Sequence, residues 1–538
     1  IQSGAVLAAM AMLSLLFGAL SGISVAKAST GFARNLRRDM FRNIQKFSFT
    51  TIDAFSSSSL VTRLTTDISN VQMAFMMLIR MAVRAPFMFI AAFIAGFIMG
   101  GWLAIIFVAV MPLLGIGLYF IISRVIPLFK KVFKKYDALN ETAEENLAGI
   151  RVVKSFVNEN FERQKFNKAS EELREDFTAA ERLMALNSPF MNFTIYVLFV
   201  FILYFGSYLI VSSQGTAFGV GQLSSLITYG FMMLMSLMML SFVFAMIIIA
   251  EEGARRICEV LLATSTINNP ENPLTEVTDG SIDFENVGFS YSGPEGREAL
   301  SGVDLHINSG EVIGIIGGTG SAKSTLVQLI PRLYDVTAGS VSVGGHNVKD
   351  YDIDTLRGAV AMVLQKNVLF SGTIKENLLW GNPDATDEEI LEAARLAQAD
   401  SFVQTFPDKY ETHIEQGGNN VSGGQKQRLC IARALLRRPK VLILDDSTSA
   451  VDTKTDSLIR SGLKDFLPDT TKIIIAQRTS SIEESDKIIV LDNGRVNAIG
   501  THEELLKDNP IYREVYFSQN KQSVDENQSQ EGEVTSHE

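Results

Sequence analysis

In the first 250 residues of this chain, apolar runs of about 20 positions pass with almost no charge, the length a helix needs to cross the hydrocarbon of a bilayer. Five such runs are present, at about 4–26, 85–106, 103–123, 190–212 and 222–250, the second and third meeting at Gly100-Gly101-Trp102. Lipid offers no water to peptide groups, so each run has to be helical. No basic segment precedes the first run and basic residues follow it, the opposite of a secretory signal. Arg34, Arg37, Arg38, Arg42 and Lys46 follow run one, and Arg124, Lys130, Lys131, Lys134 and Lys135 follow run three. The connections at Gly100-Gly101 and "SSQGTAFG" (212–219) carry no charge. Basic flanks stay in the cytoplasm, which starts residue 1 outside and puts everything after the last run inside.

The loops from Ala33 to Arg84 and from Arg124 to Leu186 keep helical periodicity with charged faces, as in "YDALNETAEENLAGIRVVKSF". They predict helices that continue well beyond the bilayer and reverse near 47–55 and 156–164. Met232, Met233, Met235, Met238, Met239 and Met246 crowd the last run. Flexible thioethers suit a surface that accepts varied apolar ligands, and they equally serve ordinary helix packing or lipid contact. No acid or base lies at mid-depth in any run, against a proton relay or a charged-substrate site there. Two distant cysteines, Cys258 and Cys430, make no disulfide framework and fit a reducing cytosolic face. A net charge of −11 gives no support for a nucleic-acid partner.

A Pro/Asn-rich linker at 264–280 leads into short β-type stretches, "SIDFENVGFSY", "VDLHI" and "EVIGIIG", the last running into "GGTGSAKST" (317–325) and then the helical "STLVQLIPRLYD". Strand, glycine loop and helix in that order make a phosphate-binding loop. Amides from Gly318 onward, through Thr319, Gly320, Ser321 and Ala322, would cradle phosphate, Lys323 would meet the terminal phosphates, and Ser324 would hold Mg²⁺. "VLILDDSTSAVD" (441–452) is a buried strand ending in two acids, placing Asp445 beside the metal and Asp446 beside the attacking water. Upstream, "VSGGQ" (421–425) opens a helix whose free amides and dipole suit another phosphate.

These motifs, in this order and spacing, resemble a half-transporter of the ABC exporter type over nearly all of the chain to about residue 517. The resemblance implies an α-helical transmembrane domain with six helices per swapped half, followed by an α/β P-loop nucleotide-binding domain. The domains expected are 1–263, the linker 264–280, 281–517, and a polar acidic tail at 518–538 that lacks packing residues and is expected to be disordered. Family members carry six spans and five are read here, so the chain is expected to begin inside the second. By the same resemblance Tyr291 stacks on adenine, and Gly317, Gly318, Thr319, Gly320, Ser321, Ala322, Lys323, Ser324 and Thr325 bind ATP. Gln365 is the Q-loop residue, and Ser324, Gln365 and Asp445 hold Mg²⁺. Ser422, Gly423, Gly424 and Gln425 face a partner's ATP, Asp452 is the D-loop acid, and 47–55 and 156–164 are coupling helices. The implied cofactors are ATP and Mg²⁺. The implied partners are a homologous half-transporter, the plasma-membrane bilayer and hydrophobic small molecules.

Three positions depart from the family pattern. Ala322 replaces the loop glycine. Asp446 stands where the family has a general base Glu, one methylene shorter by roughly 1–1.5 Å. Gln477, in "IIAQR", stands where the family has a switch His. All three belong to one ATP site, while Ser422-Gly423-Gly424-Gln425 is intact. The pattern resembles the degenerate subunit of heterodimeric bacterial multidrug exporters; an Asp acting as a weaker base is the simpler alternative. The expected function is outward movement of hydrophobic or amphipathic compounds, with hydrolysis mainly at the partner's site. Lipid or peptide export, and regulatory ATP binding without transport, are the competing functions.

Overall fold

The computed structural model describes residues 2–519 apart from 215, 217, 294, 295 and 448. Most of the expected acidic tail, 520–538, lies outside the described residues. Two compact units emerge, one built from the chain up to Arg42 with Ser58–Leu262, the other from Asn43–Ser57 with the chain from Ala263.

In the first unit, four helical segments among the described residues are long and apolar enough to cross a membrane: Gln2–Ile44, Ser57–Ala148, Glu159–Ser212 and Val220–Phe244. The second folds back on itself. Gly101 breaks it with a φ of +51°, and a Cβ on Gly96, before the break, would sit 2.6 Å from the Phe107 ring after it. Phe89 and Phe93 line one apolar groove with Val108 and Pro112, so helices Val83–Gly100 and Ile105–Ala148 run antiparallel. The five expected apolar runs therefore lie in four segments. Small residues let these helices approach closely in lipid: a Cβ on Gly117 would lie 2.1 Å from the Phe190 ring. Phe107, Leu198, Leu226 and Met233 form the buried centre.

Gln2–Ile44 has 43 residues, about 65 Å at 1.5 Å per residue, twice what the hydrocarbon requires. Helix Ile105–Ala148 likewise continues beside Glu159–Ala185, held by Lys131 and Lys135 on Asp176 (both 2.8 Å) and Lys165 on Glu145 (3.0 Å). Val157, at φ +51°, turns the chain, and the helix resumes at Glu159, so the second reversal is tighter than 156–164. Two wide π-turns, Arg63–Asp67 and Leu78–Ala82, interrupt the Ser57–Gly100 stretch. Asp67, buried at the end of the first, takes Arg256 at 2.6 Å.

The second unit contains strands β1 (Ile282–Phe289), β2 (Leu300–Ile307), β3 (Val312–Gly317), β4 (Ala338–Val343), β5 (His346–Asn347), β6 (Val360–Val363), β7 (Gly372–Thr373), β8 (His413–Ile414), β9 (Val441–Asp445), β10 (Thr471–Ile475), β11 (Lys487–Asp492) and β12 (Arg495–Gly500). A six-stranded sheet runs in the order β12-β11-β3-β10-β9-β6 and a four-stranded one β2-β1-β4-β5, with β7 and β8 paired separately. In the larger sheet only β12 is antiparallel to its neighbour. Parallel strands covered on both faces read as continuous apolar runs, and all five residues of β9 are buried. Val441 and Ile443 point into one core, Leu442 and Leu444 into the other.

The linker is packed rather than free. Ile267 is buried, and Leu274 exchanges backbone hydrogen bonds with Asp350 and Asp352 (2.8 and 2.9 Å). At the other end, helix continues from 510 through 519, two residues past the expected boundary.

Candidate functional site

Strands β3, β10 and β9 are parallel neighbours, so the chain segments leaving their C-terminal ends emerge side by side. This is where open α/β sheets collect ligands. The loop 317–325 leaves β3, Asp445-Asp446 ends β9, and Gln477 follows β10. Gly317 is obligatory: a Cβ there would lie 2.2 Å from the Leu491 carbonyl oxygen. Ala322 is held at φ +69°, ψ +26°, directly before helix Lys323–Gln328. It occupies the left-handed position that glycine fills without strain. The helix is shorter than "STLVQLIPRLYD" suggested. It ends at Gln328 because Pro331 lacks an N–H and biases the residue before it away from the helical region.

Lys323 Nζ donates to the carbonyls of Gly317 (2.8 Å) and Gly318 (2.9 Å). Burial lowers its pKa from the usual lysine range, against the pull of Asp445 and Asp446. Ser324 Oγ donates to Asp445 Oδ1 at 3.0 Å. Asp445 is buried, and burial raises its pKa from the ordinary carboxyl value. A hydroxyl and a buried carboxylate side by side suit a hard divalent cation, which would draw Asp445 back to its charged form. The Mg²⁺ role expected of Ser324 and Asp445 fits this geometry. Gln365 instead reaches the second acid: its Nε2 donates loosely to Asp446 Oδ2 at 3.4 Å.

Asp446 sits at φ +47°, a conformation that Asp and Asn tolerate better than other side chains. Gln477 Nε2 donates to the same Oδ2 at 2.9 Å. Burial raises the Asp446 pKa, and the two glutamine hydrogen bonds oppose the rise. Asp446 and Gln477, expected to be the base and switch residues, are thus bonded to each other.

Tyr291 offers a half-exposed ring, its hydroxyl paired with Thr325 Oγ1 at 3.0 Å and its edge set against Tyr334. Ser422 caps helix Gly423–Leu435 in a reciprocal capping box with Gln425, so one of the helix's leading amides is satisfied internally and those of the glycines remain. A Cβ on Gly424 would lie 2.8 Å from the Ala450 carbonyl oxygen, and buried Gln427 accepts from the Ala450 amide (3.1 Å). Signature helix and D-loop are therefore packed as one piece. Asp452 caps helix Thr453–Phe466 through the Thr455 amide (2.9 Å).

Sequence reasoning missed three participants. Tyr334 donates to Asp53 at 2.8 Å, joining the short helix Phe49–Phe55 to the Tyr291 platform. Gln427 ties the signature to the D-loop, and Gln519 bonds to the segment after β10. No local motif marks Tyr334 or Gln519, and Gln427 lies two residues past "VSGGQ".

Residues 2–237 match the ABC transporter transmembrane region family, and residues 300–449 match the ABC transporter family. An ABC transporter ATP-binding protein of Mycobacterium tuberculosis is 38% identical over 92% of this chain and 85% of its own length. YfiB of Bacillus subtilis, also described as an ABC transporter ATP-binding protein, is 36% identical over 96% of this chain and 89% of its own. The fold aligns with a bacterial Atm1-family ABC exporter solved with ATP bound, at a TM-score of 0.82 and 25% identity, covering 96% of this chain and 92% of that one. With helical crossings, phosphate loop, paired acids and signature helix all in place, this chain belongs to the ABC transporter family, as an ATP-hydrolysing half-transporter of the exporter type that passes the membrane several times and carries its nucleotide-binding domain in the cytoplasm.

Proposed function

We propose that this chain is the subunit of a heterodimeric exporter that retains ATP at a slowly hydrolysing site and lends its signature to the partner's competent site. The observation that carries the reading is the double occupation of Asp446 Oδ2 by Gln477 and Gln365. A general base needs a lone pair directed at the attacking water and a carboxylate that reaches it. Here the shorter acid is held by two carboxamides, and neither can take up a proton as an imidazole does. Reactant geometry that slips by about 1 Å can cost about a hundredfold in rate.

Binding asks less of the site. Loop amides and Lys323 would hold the phosphates, Tyr291 would stack on adenine, and Ser324 with Asp445 would hold Mg²⁺, which supplies charge neutralisation to the phosphate oxygens. Ser422 and Gly423 are exposed for a partner's nucleotide. In the last span, Phe231, Met235, Met238 and Phe242 present one exposed apolar face. Such a face suits hydrophobic or amphipathic cargo of varied shape. None of residues 2–24 is buried within this chain, leaving that apolar surface for lipid and for a second half-transporter.

The test is ATP hydrolysis by the purified chain alone and with its partner. Near-absent turnover alone and robust turnover in the pair are expected; brisk hydrolysis by the isolated chain would sink the proposal.

A further inference from the structure

Gln519 makes contacts that the nucleotide chemistry above does not use. Its Oε1 accepts from the Thr479 amide (2.9 Å) and the Thr479 hydroxyl (3.2 Å), and its Nε2 donates to the Gln477 carbonyl oxygen (2.7 Å). One side chain thus clamps the segment 477–479, whose first residue holds Asp446. The helix carrying Gln519 is itself anchored. Tyr512 is fully buried, its hydroxyl 2.7 Å from His502 Nδ1 and its amide donating to Asn509 Oδ1 (2.8 Å). Past the clamp, Ser481 donates to buried Asp456 at 3.0 Å, in the helix that Asp452 caps.

The segment after β10 is therefore pinned on one side by the C-terminal helix and on the other by the helix of the D-loop. Loss of Gln519 would strip partners from a carbonyl and an amide in consecutive peptides, freeing the backbone from which Gln477 extends. A side chain whose base can shift no longer meets its target at a fixed geometry.

We propose that Gln519 is a positioning residue of this ATP site, setting the backbone that presents Gln477 to Asp446 and to the terminal phosphate. The inference rests on the reading that ATP is held at 317–325. Its consequence is selective: ADP has no group where Gln477 and Asp446 converge, so only ATP should register the loss.

Fluorescent derivatives of ATP and ADP, titrated with Mg²⁺ onto the full-length chain, read this directly. Gln519→Ala should weaken ATP by about tenfold, as expected for losing a bidentate polar clamp, with ADP binding changed by less than about twofold. Gln519→Glu keeps an acceptor for Thr479 but sets a carboxylate oxygen against the Gln477 carbonyl in place of the donor. It should show a loss at least as large, again confined to ATP, and its side chain, nearly equal in size to glutamine, guards against an alanine variant that fails to fold. Parallel weakening of both nucleotides in the two variants, or no change in either, would overturn the role of Gln519. A wild-type chain that bound neither nucleotide would instead refute the binding site itself.

Discussion

Ala322 carries a conformational cost that its neighbours do not. A left-handed L-residue is disfavoured by about 1–2 kcal/mol, and the φ of +69° places Ala322 squarely there. Glycine would remove that strain while losing some unfolded-state restriction, leaving a net gain of about 0.5–1 kcal/mol. Ala322→Gly should accordingly raise the thermal midpoint of the nucleotide domain by about 2 °C. A lowered midpoint would mean that the alanine is not strained. Asp446 resolves a similar demand differently, since its short polar side chain suits φ +47°. Asp446 and Gln477 then make structural sense together: a buried carboxylate with a glutamine amide 2.9 Å away is a satisfied, part-buried pair.

Among the elements, the signature helix is tied directly to the D-loop. Gly424 admits the D-loop carbonyl of Ala450 only because it has no Cβ. Gly424→Ala should push helix and D-loop apart and cut ATPase activity of the assembled pair by tenfold or more, measured as phosphate release. Affinity for ATP at the chain's own loop should change little. The cross-strand pair Asp283 and His306, facing each other on β1 and β2, predicts a pH effect. Hydrogen bonding to Asp283 raises the His306 pKa from its ordinary value near 6.5. A raised folded-state pKa contributes stability that is fully present below the unfolded value and lost as pH rises through the folded one. The urea midpoint of the nucleotide domain should fall slightly between about pH 6 and about pH 8, and Asp283→Asn should flatten the trend. The effect stays small because His306 is largely exposed.

At the scale of the assembly, the asymmetry proposed above makes its own prediction. Changing the partner's catalytic Glu to Gln should abolish turnover of the pair, whereas Asp446→Asn in this chain should cost far less, because Asp446 is already bound to two amides. Equal losses in the two single variants, measured by ATP hydrolysis in membranes, would argue for two equivalent sites.

Much of this architecture is legible in the linear chain because its causes are local. A bilayer accepts only apolar helices of fixed length, so the spans announce themselves; a phosphate loop needs its glycines, lysine and serine within nine consecutive positions, 317–325, so it does too. What stayed hidden depends on who meets whom. Tyr334 and Asp53 lie 281 positions apart, and Gln519 reaches the switch segment from 40 positions beyond Thr479. Such pairs leave no periodicity or spacing behind them. The Gln519 bonds exist only because β10 delivers its following segment to the sheet end where the C-terminal helix docks, and the Tyr334 bond only because helix Phe49–Phe55 packs against that tyrosine. Chain chemistry thus decided the solvent each half lives in and the ligand it can hold, while the fold decided which side chains aim the groups around that ligand, since a directional bond needs both partners in place.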